Sequence, residues 1–389
     1  MDANIKRLRV VKVIEEGRVG GPQMDIVRTS KELRARGVDV VVVVPHIDSA
    51  QFRELLDSFG IPIYGVTLTR PGAKIGQLIQ YFARFIVEVN ALAKVFRKLD
   101  PDLVHAGGGA WQIKGVLAAR ICQIPVIWHL NDTGTPWPVR ALFKSLKRIP
   151  VGFICAGKSV KKYYFGKSAQ SNIVVIQSPV DCEKFCPTNR EILSIERSRQ
   201  ETKIPLILTV GNLGRVKGVE VFISAISRVV DQREIRAQVI GKKLASQKGY
   251  INRIDSLIEK YRLGNVVNIV SSSDIATNLQ QATVYVCASW SEASPMAVWE
   301  AMSMGVPVVA TDVGDVNRFI KDGETGYVVE RGSDRMIAER IMTILENPSH
   351  AREMGARARA VALLNFDQAK VAELHQAFYR QVLAKSTPE

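Results

Sequence analysis

Along the first half of the chain, apolar residues follow two alternating spacings. Short, nearly unbroken apolar runs at Arg9–Glu15, Val38–Val44, Leu103–Ala106, Val126–Leu130 and Gly152–Ala156 predict buried strands. Met24–Arg36, closed by Gly37, and Leu78–Leu99 carry the wider spacing of helices. That alternation predicts an open α/β fold built on a parallel sheet. The pattern restarts after about Cys186, with strands at Leu206–Val210, Gln238–Ile240, Val267–Val270, Val284–Ala288, Val306–Ala310 and Gly326–Val329. A loop carrying Gly211, Gly214 and Gly218 leads into a helix over Val219–Val230. The polar stretch Pro187–Lys203 separates the two series and reads as a linker. The expected organisation is an N-terminal Rossmann-like domain over 1–190 and a second over 191–365. A tail over 366–389 would contain one amphipathic helix, Phe366–Leu383, packing back on the first domain. Two such domains would bind ligands in a cleft at the carboxyl ends of their strands.

Composition narrows the class. The chain has 389 residues, 47% hydrophobic and 23% charged, as expected of a soluble globular protein. No apolar run reaches the ~18 residues a membrane-spanning helix needs. Met1–Val13 is basic but runs straight into a strand, without the apolar core of a signal peptide. The five cysteines are odd in number and contain no CxxC pair, which points to reduced thiols and a cytoplasmic compartment. The net charge of +15 is lopsided. Residues 1–190 hold 28 Lys and Arg against 15 Asp and Glu, and 133–180 holds eight basic residues and no acid. Such a field favours an anionic partner for the first half.

Two motifs are decoys. Gly152–Ser159 fits the P-loop pattern GxxxxGK[ST], but its middle residues, Phe-Ile-Cys-Ala, belong inside a strand and not in a phosphate-cradling loop. Asp100-Pro101-Asp102 has the DxD form of metal-binding transferases, yet it sits where a helix turns into a strand and reads as a turn. The informative constellation runs from Ser289 to Met302. After the strand Val284–Ala288, Ser294 is placed to cap a helix with Pro295 at its first position. Glu292 precedes that helix and Glu300 lies within it. The helix start attracts phosphate, and carboxylates beside it can accept hydrogen bonds from sugar hydroxyls. The plain structural reading, a capped helix with solvated carboxylates, explains the local features equally well.

Glu292 and Glu300 form the E-x7-E motif of the retaining glycosyltransferases of family 4, which have the GT-B fold. The surrounding EASPMAVWEAMSMGVPVVATDVGD resembles that family beyond the two carboxylates. So do TVGNLGRVKGVEVFISAI at 209–226, KDGETGYVV at 321–329, the tail from Asn365-Phe366 and the Gly20-Gly21 loop. The resemblance implies a retaining transfer from a nucleotide diphospho-sugar, with no cofactor and no required metal. It implies that Glu292 binds hydroxyls of the donor sugar and that Glu300 holds the nucleotide ribose. Lys217 and the backbone at Ser294, Pro295 and Met296 would hold the diphosphate, and Gly21 would close over it. His129 matches the family's first-domain histidine near sugar and acceptor; His105 ranks below it. Two departures stand out. Asn212 replaces the usual Arg, leaving Arg215 as the candidate substitute for its charge. Ala293 replaces the usual Gly, narrowing the backbone's approach to the sugar.

Pro136-Trp137-Pro138 and Val139–Ile149 form a second segment of interest. On a helix, Val139, Leu142, Phe143, Leu146 and Ile149 share one face, with Arg140, Lys144, Lys147 and Arg148 away from it. This fits a basic helix on an anionic membrane with Trp137 as anchor, and equally a helix packed on its own domain. The expected partners are therefore a nucleotide-sugar donor, a glycan or lipid-linked acceptor, and an anionic membrane surface on the cytoplasmic side. Rival classes are weaker. A nucleic-acid binder lacks a recognised module, and a nicotinamide oxidoreductase lacks GxGxxG after its first strand. A nucleotide-sugar epimerase of the same fold remains open.

Overall fold

The computed structural model describes residues 7–70, 75–187, 204–243, 247–272 and 274–385. The chain divides into two compact units, Met1–Pro179 with Gln368–Glu389, and Val180–Asp367. The boundary expected near 190 therefore moves to 179/180. The reason is that Val180, Cys182 and Phe185, ahead of the expected linker, are buried in the core of the second unit beside Trp299 and Phe366. Most of the expected linker, 188–203, lies outside the described residues.

The first unit contains β1 (Arg9–Val13), α1 (Gly21–Ala35), β2 (Asp39–Pro45), α2 (Ala50–Ser58), β3 (Ile63–Val66), α3 (Ile75–Leu99) and β4 (Leu103–Ala106). It continues with α4 (Lys114–Ile121), β5 (Val126–Leu130), α5 (Trp137–Leu146), β6 (Gly152–Cys155), α6 (Lys158–Phe165) and β7 (Ile173–Val175). The strands form one parallel sheet in the order β3-β2-β1-β4-β5-β6-β7. The expected strands appear with ends shifted by a residue or two. The additions β3 and β7 are edge strands, too short for periodicity to reveal. Helix α1 starts earlier than Met24, because Gly20 takes an extended conformation before it and Pro22 suits the first turn.

The second unit runs β8 (Leu206–Val210), α7 (Val219–Val230), β9 (Arg236–Ile240), α8 (Lys248–Lys260), β10 (Val267–Val270), α9 (Ile275–Gln281) and β11 (Val284–Cys287). It continues with α10 (Met296–Ser303), β12 (Val308–Thr311), α11 (Val316–Phe319), β13 (Tyr327–Val329), α12 (Asp334–Glu346) and α13 (Pro348–Asn365). Its parallel sheet has the order β10-β9-β8-β11-β12-β13. Helix α7 buries a continuous apolar face, Val219, Phe222, Ile223, Ile226 and Val229, in a core shared with α12. On the other face, Trp299 of α10 stacks on Phe366 with ring centroids 4.3 Å apart.

The last helix, α14 (Gln368–Ala384), counts with the first unit. Its Val371, Phe378, Tyr379 and Val382 join Val10, Ile127 and Ile154 in the first unit's core. In each sheet the strand order reverses once, between β1 and β4 and between β8 and β11. Loops leaving the carboxyl ends of such strand pairs are where open α/β sheets bind ligands.

Candidate functional site

In the second unit, the loops leaving β8 and β11 are stitched together at that reversal. After β8 comes a single 3-10 turn, Arg215–Lys217, then Gly218 and α7. Gly218 has φ +60, and a Cβ there would sit 2.0 Å from the carbonyl oxygen of Ala288, so only glycine allows this approach. The Trp290 N–H donates to the carbonyl of Val216 across the same seam at 2.8 Å. Lys217 is thereby delivered to the β11 loop, where its Nζ lies 2.5 Å from Glu292 Oε1. The Ser289 hydroxyl donates to the same oxygen at 2.9 Å. Thr311, ending β12, holds the loop from below, its Oγ1 lying 2.7 Å from the carbonyl oxygen of Ser289. Gly314, at φ +57, lets the next loop pass close behind Glu292 and Ala293. Burial alone would lower the Lys217 pKa; the charge and hydrogen bond of Glu292 outweigh it and raise the pKa above its ordinary value. The result is a fixed ammonium–carboxylate pair, with Lys217 one-third and Glu292 about one-seventh exposed.

Helix α10 starts beside this pair, but not as its sequence predicts. Ser294 is not the cap: Pro295 holds that position with ψ 86, and no side chain caps the helix. Instead, Ser294 Oγ accepts the indole N–H of Trp299 at 3.0 Å. The Ser-Pro pair mimics a cap signal, while the buried tryptophan one turn on claims the hydroxyl. Without a side-chain cap, the positive end of α10 keeps its orphan donors for water or a ligand. Glu300 lies in α10 and is only 4% exposed, a buried carboxylate and not the solvated one of the plain reading. Arg215 is exposed at the start of the 3-10 turn. Asn212 has a structural task, since its Oδ1 accepts the Lys242 N–H at 3.2 Å.

In the first unit, Gly21 opens α1 in the loop after β1, and nothing lies within 4 Å of where its Cβ would be. His129, on β5, is only 5% exposed. Its Nδ1 lies 3.2 Å from His105 Nε2, and His105 Nδ1 lies 2.6 Å from the Tyr379 hydroxyl. Burial, with the charge of Lys12, pushes the His129 pKa down to about 3, so the ring is neutral. The helix expected over Val139–Ile149 is α5, Trp137–Leu146, leaving Ile149 outside. Only Phe143 of its apolar face is buried, while Trp137 is 80% exposed. Arg140 stacks on the Tyr163 ring at 4.6 Å, and Lys144, Lys147 and Arg148 are exposed.

Residues 19–184 match the family model Glycosyltransferase Family 4, and residues 192–361 match Glycosyl transferases group 1. The chain belongs to family 4 of the glycosyltransferases. Spore coat protein SA of Bacillus subtilis (strain 168) is 26% identical over 219 residues, 53% of this chain and 58% of that protein. The phosphatidyl-myo-inositol mannosyltransferase of Mycobacterium leprae is 25% identical over 386 residues, 93% of each chain. Among solved structures, Anabaena HepE in complex with UDP and glucose aligns with a TM-score of 0.82 at 20% identity, over 96% of this chain and 100% of that one. The fold is GT-B.

The glycosyltransferase also shows what its sequence misleads about or hides. All four residues of Gly152–Cys155 are buried in β6, so the P-loop match is the inside of a strand. Asp102 accepts the backbone N–H of Arg9 at 2.8 Å, and Asp100 turns the chain with φ +44, both structural duties. Two features escaped sequence reasoning. One is a row of exposed apolar residues on α3: Ile75, Ile79, Phe82 and Ile86, all more than 60% exposed. Their spacing was visible, but periodicity marks an apolar face without saying whether anything covers it. The other is a buried group of ionisable residues around His129, whose members are too far apart in sequence for any motif to join them.

Proposed function

We propose that this glycosyltransferase moves a hexose from a nucleotide diphospho-sugar to a lipid-linked acceptor, with retention at the anomeric carbon, in glycolipid or cell-surface polysaccharide synthesis. The carrying observation is the Lys217–Glu292 pair at the β8/β11 reversal, beside the uncapped start of α10. Each partner holds the other's charge until donor arrives. Lys217 then turns to the diphosphate, assisted by the helix N–H groups near Met296. Glu292 is released to accept hydrogen bonds from the sugar, and Glu300 serves the ribose. As the glycosidic bond breaks, negative charge grows on the leaving diphosphate. A preorganised ammonium and helix dipole stabilise that charge without a metal at the reacting centre. Structures of HepE with UDP and with UDP-glucose support a donor of this class.

Among the described residues, no helix is long and apolar enough to cross a membrane. The proposed membrane contact is peripheral, on the cytoplasmic face. The α3 row enters the interface, Trp137 anchors α5, and Lys144, Lys147 and Arg148 meet anionic headgroups. The name of the mannosyltransferase relative, which includes a phosphatidyl lipid, agrees with such an acceptor. The test joins turnover to sedimentation. UDP-, GDP- and ADP-sugars are screened by thermal shift, where a donor at 100 times its Kd should stabilise by about 2.7 kcal/mol. The best donor is then supplied with anionic liposomes carrying lipid acceptor, and the product anomer is read by NMR. Replacing Lys144, Lys147 and Arg148 by Gln should weaken liposome binding about a hundredfold, at ~1 kcal/mol per charge, and leave donor binding intact. An inverted product, or indifference to anionic liposomes at low salt, would sink the corresponding part.

A further inference from the structure

We propose that Asp25, His129 and His375 hold a divalent transition-metal ion, zinc first, inside the first unit. The three come from α1, β5 and α14, and one ligand atom from each lies within 4.8 Å of the others. All three residues are buried. Both imidazoles are already oriented as ligands. Nδ1 of His375 lies 2.9 Å from the carbonyl oxygen of Val371, and a carbonyl only accepts, so Nδ1 carries the proton. The lone pair of His375 is therefore on Nε2, which is buried without a partner. His129 Nε2 is likewise buried without a partner, while its Nδ1 is engaged by His105 and, through His105, by Tyr379. When His129 donates along that chain, its Nε2 also presents a lone pair. A metal-ligating histidine characteristically has its second nitrogen fixed by such a hydrogen bond.

Two imidazole nitrogens and a carboxylate gathered in a dry core are costly unless something positive lies among them. Neutral imidazole with carboxylate is a donor set that suits zinc, at bond lengths of about 2.0–2.1 Å. Tetrahedral ligand atoms at that length are about 3.4 Å apart, so from separations within 4.8 Å the side chains close by at most about 1.4 Å. The burial of the site makes its role structural: the ion would pin α14 to the sheet and to α1. Lys12 and the buried Arg28, whose charges both act on Asp25, are the competing cations. The Lys12 Nζ donates to Thr29 Oγ1 at 2.6 Å.

The inference is independent of the donor reading, since it predicts stability and metal content and not transfer. The experiment uses untagged full-length protein, stripped with chelator, desalted and titrated with zinc or cobalt. The expected result is one equivalent of metal per chain by elemental analysis and a visible Co(II) absorption band. The Tm should be several degrees higher with zinc than with EDTA. Asp25→Asn and His375→Gln should lose the metal, and Lys12→Met should bind zinc at least tenfold more tightly. Uptake below a tenth of an equivalent with an unchanged Tm overturns the inference. So does full retention of metal in folded Asp25→Asn, which places the ion elsewhere. If neither ligand variant folds, Lys12→Met decides: unchanged zinc affinity also overturns it.

Discussion

The two units share a sheet plan and treat charge in opposite ways. In the second, Lys217 and Glu292 sit on loops at the carboxyl ends of β8 and β11, partly open to solvent and paired with each other. In the first, Lys12, Glu15, Asp25, Glu88 and Lys114 are all buried. Lys114 is 0% exposed; its Nζ donates to Glu88 Oε2 at 2.6 Å and lies 4.2 Å from the Tyr81 ring centroid. Its backbone N–H donates to Glu15 Oε1 at 2.9 Å. Removing one partner from such a buried group costs about 3–5 kcal/mol, because the other charge is stranded. An exposed pair contributes about 0–1 kcal/mol. A partly exposed pair such as Lys217–Glu292 can therefore exchange a partner for a ligand, whereas a fully buried pair such as Lys114–Glu88 is committed to the fold. On the proposed function, the same residue types serve chemistry in the Lys217–Glu292 pair and architecture in the Lys114–Glu88 pair.

The strongest way to break that contrast is to alter the loop pair. Glu292→Gln and Lys217→Ala should each lower transfer at least about a hundredfold, the scale seen when one preorganised stabilising group is removed. Neither should unfold the protein, because a partly exposed pair contributes little to stability. Initial rates with saturating donor, beside thermal melts, check both halves. Near-normal turnover would remove the residue from the site. A large loss of stability would make the pair architectural, like Lys114.

A smaller effect separates the units by pH. Burial, opposed by Lys114 and reinforced by Glu88, raises the Glu15 pKa from 4.5 to about 7. Between those values the folded protein keeps a proton that the unfolded chain has lost. The stability contributed by this group is complete below about pH 4.5, falls as pH rises, and is gone above about pH 7. Glu15→Gln removes that slope. Urea unfolding at pH 5 and pH 8 should therefore show the variant gaining on the wild type as pH rises. A gap that does not change with pH would mean that Lys114 keeps Glu15 ionised in the fold.

How legible each unit was follows from where its residues lie in sequence. Glu292, Ser294, Pro295 and Glu300 occupy one loop and helix, so resemblance could find them together and the fold then placed Lys217 beside Glu292. Even there, Ser294 looked like a cap because the sequence does not show that Trp299 will claim its hydroxyl. Apolar runs predict the strands, and among the described residues the short edges β3 and β7 are the ones such runs do not mark. Lys12, Asp25, His105, His129 and His375 come from five different elements. Their meeting depends on strand order and on the return of α14, which no local pattern records. His129 was singled out at the end of a strand, but that placement did not tell which face its ring would take.

The smallest expected effect concerns a position where the motif itself departs from its family. Asn212 stands where an arginine is usual, and its side chain holds the Lys242 N–H at 3.2 Å, joining its loop to the one after β9. With Oδ1 so engaged, Asn212 can offer a phosphate only its neutral Nδ2 amide and not the charge of an arginine. Arg215 is three residues on, at the start of the 3-10 turn that ends at Lys217. Exposed as it is, a charge there acts through solvent, and an exposed ion pair contributes at most about 1 kcal/mol. Arg215→Ala should therefore weaken nucleoside-diphosphate binding severalfold, well short of the effect of Lys217→Ala, and more at low salt than at high salt. Isothermal titration at two ionic strengths makes the measurement. Equal affinity for wild type and variant at low salt would leave the vacated charge unreplaced and make Lys217 the sole phosphate cation of that turn.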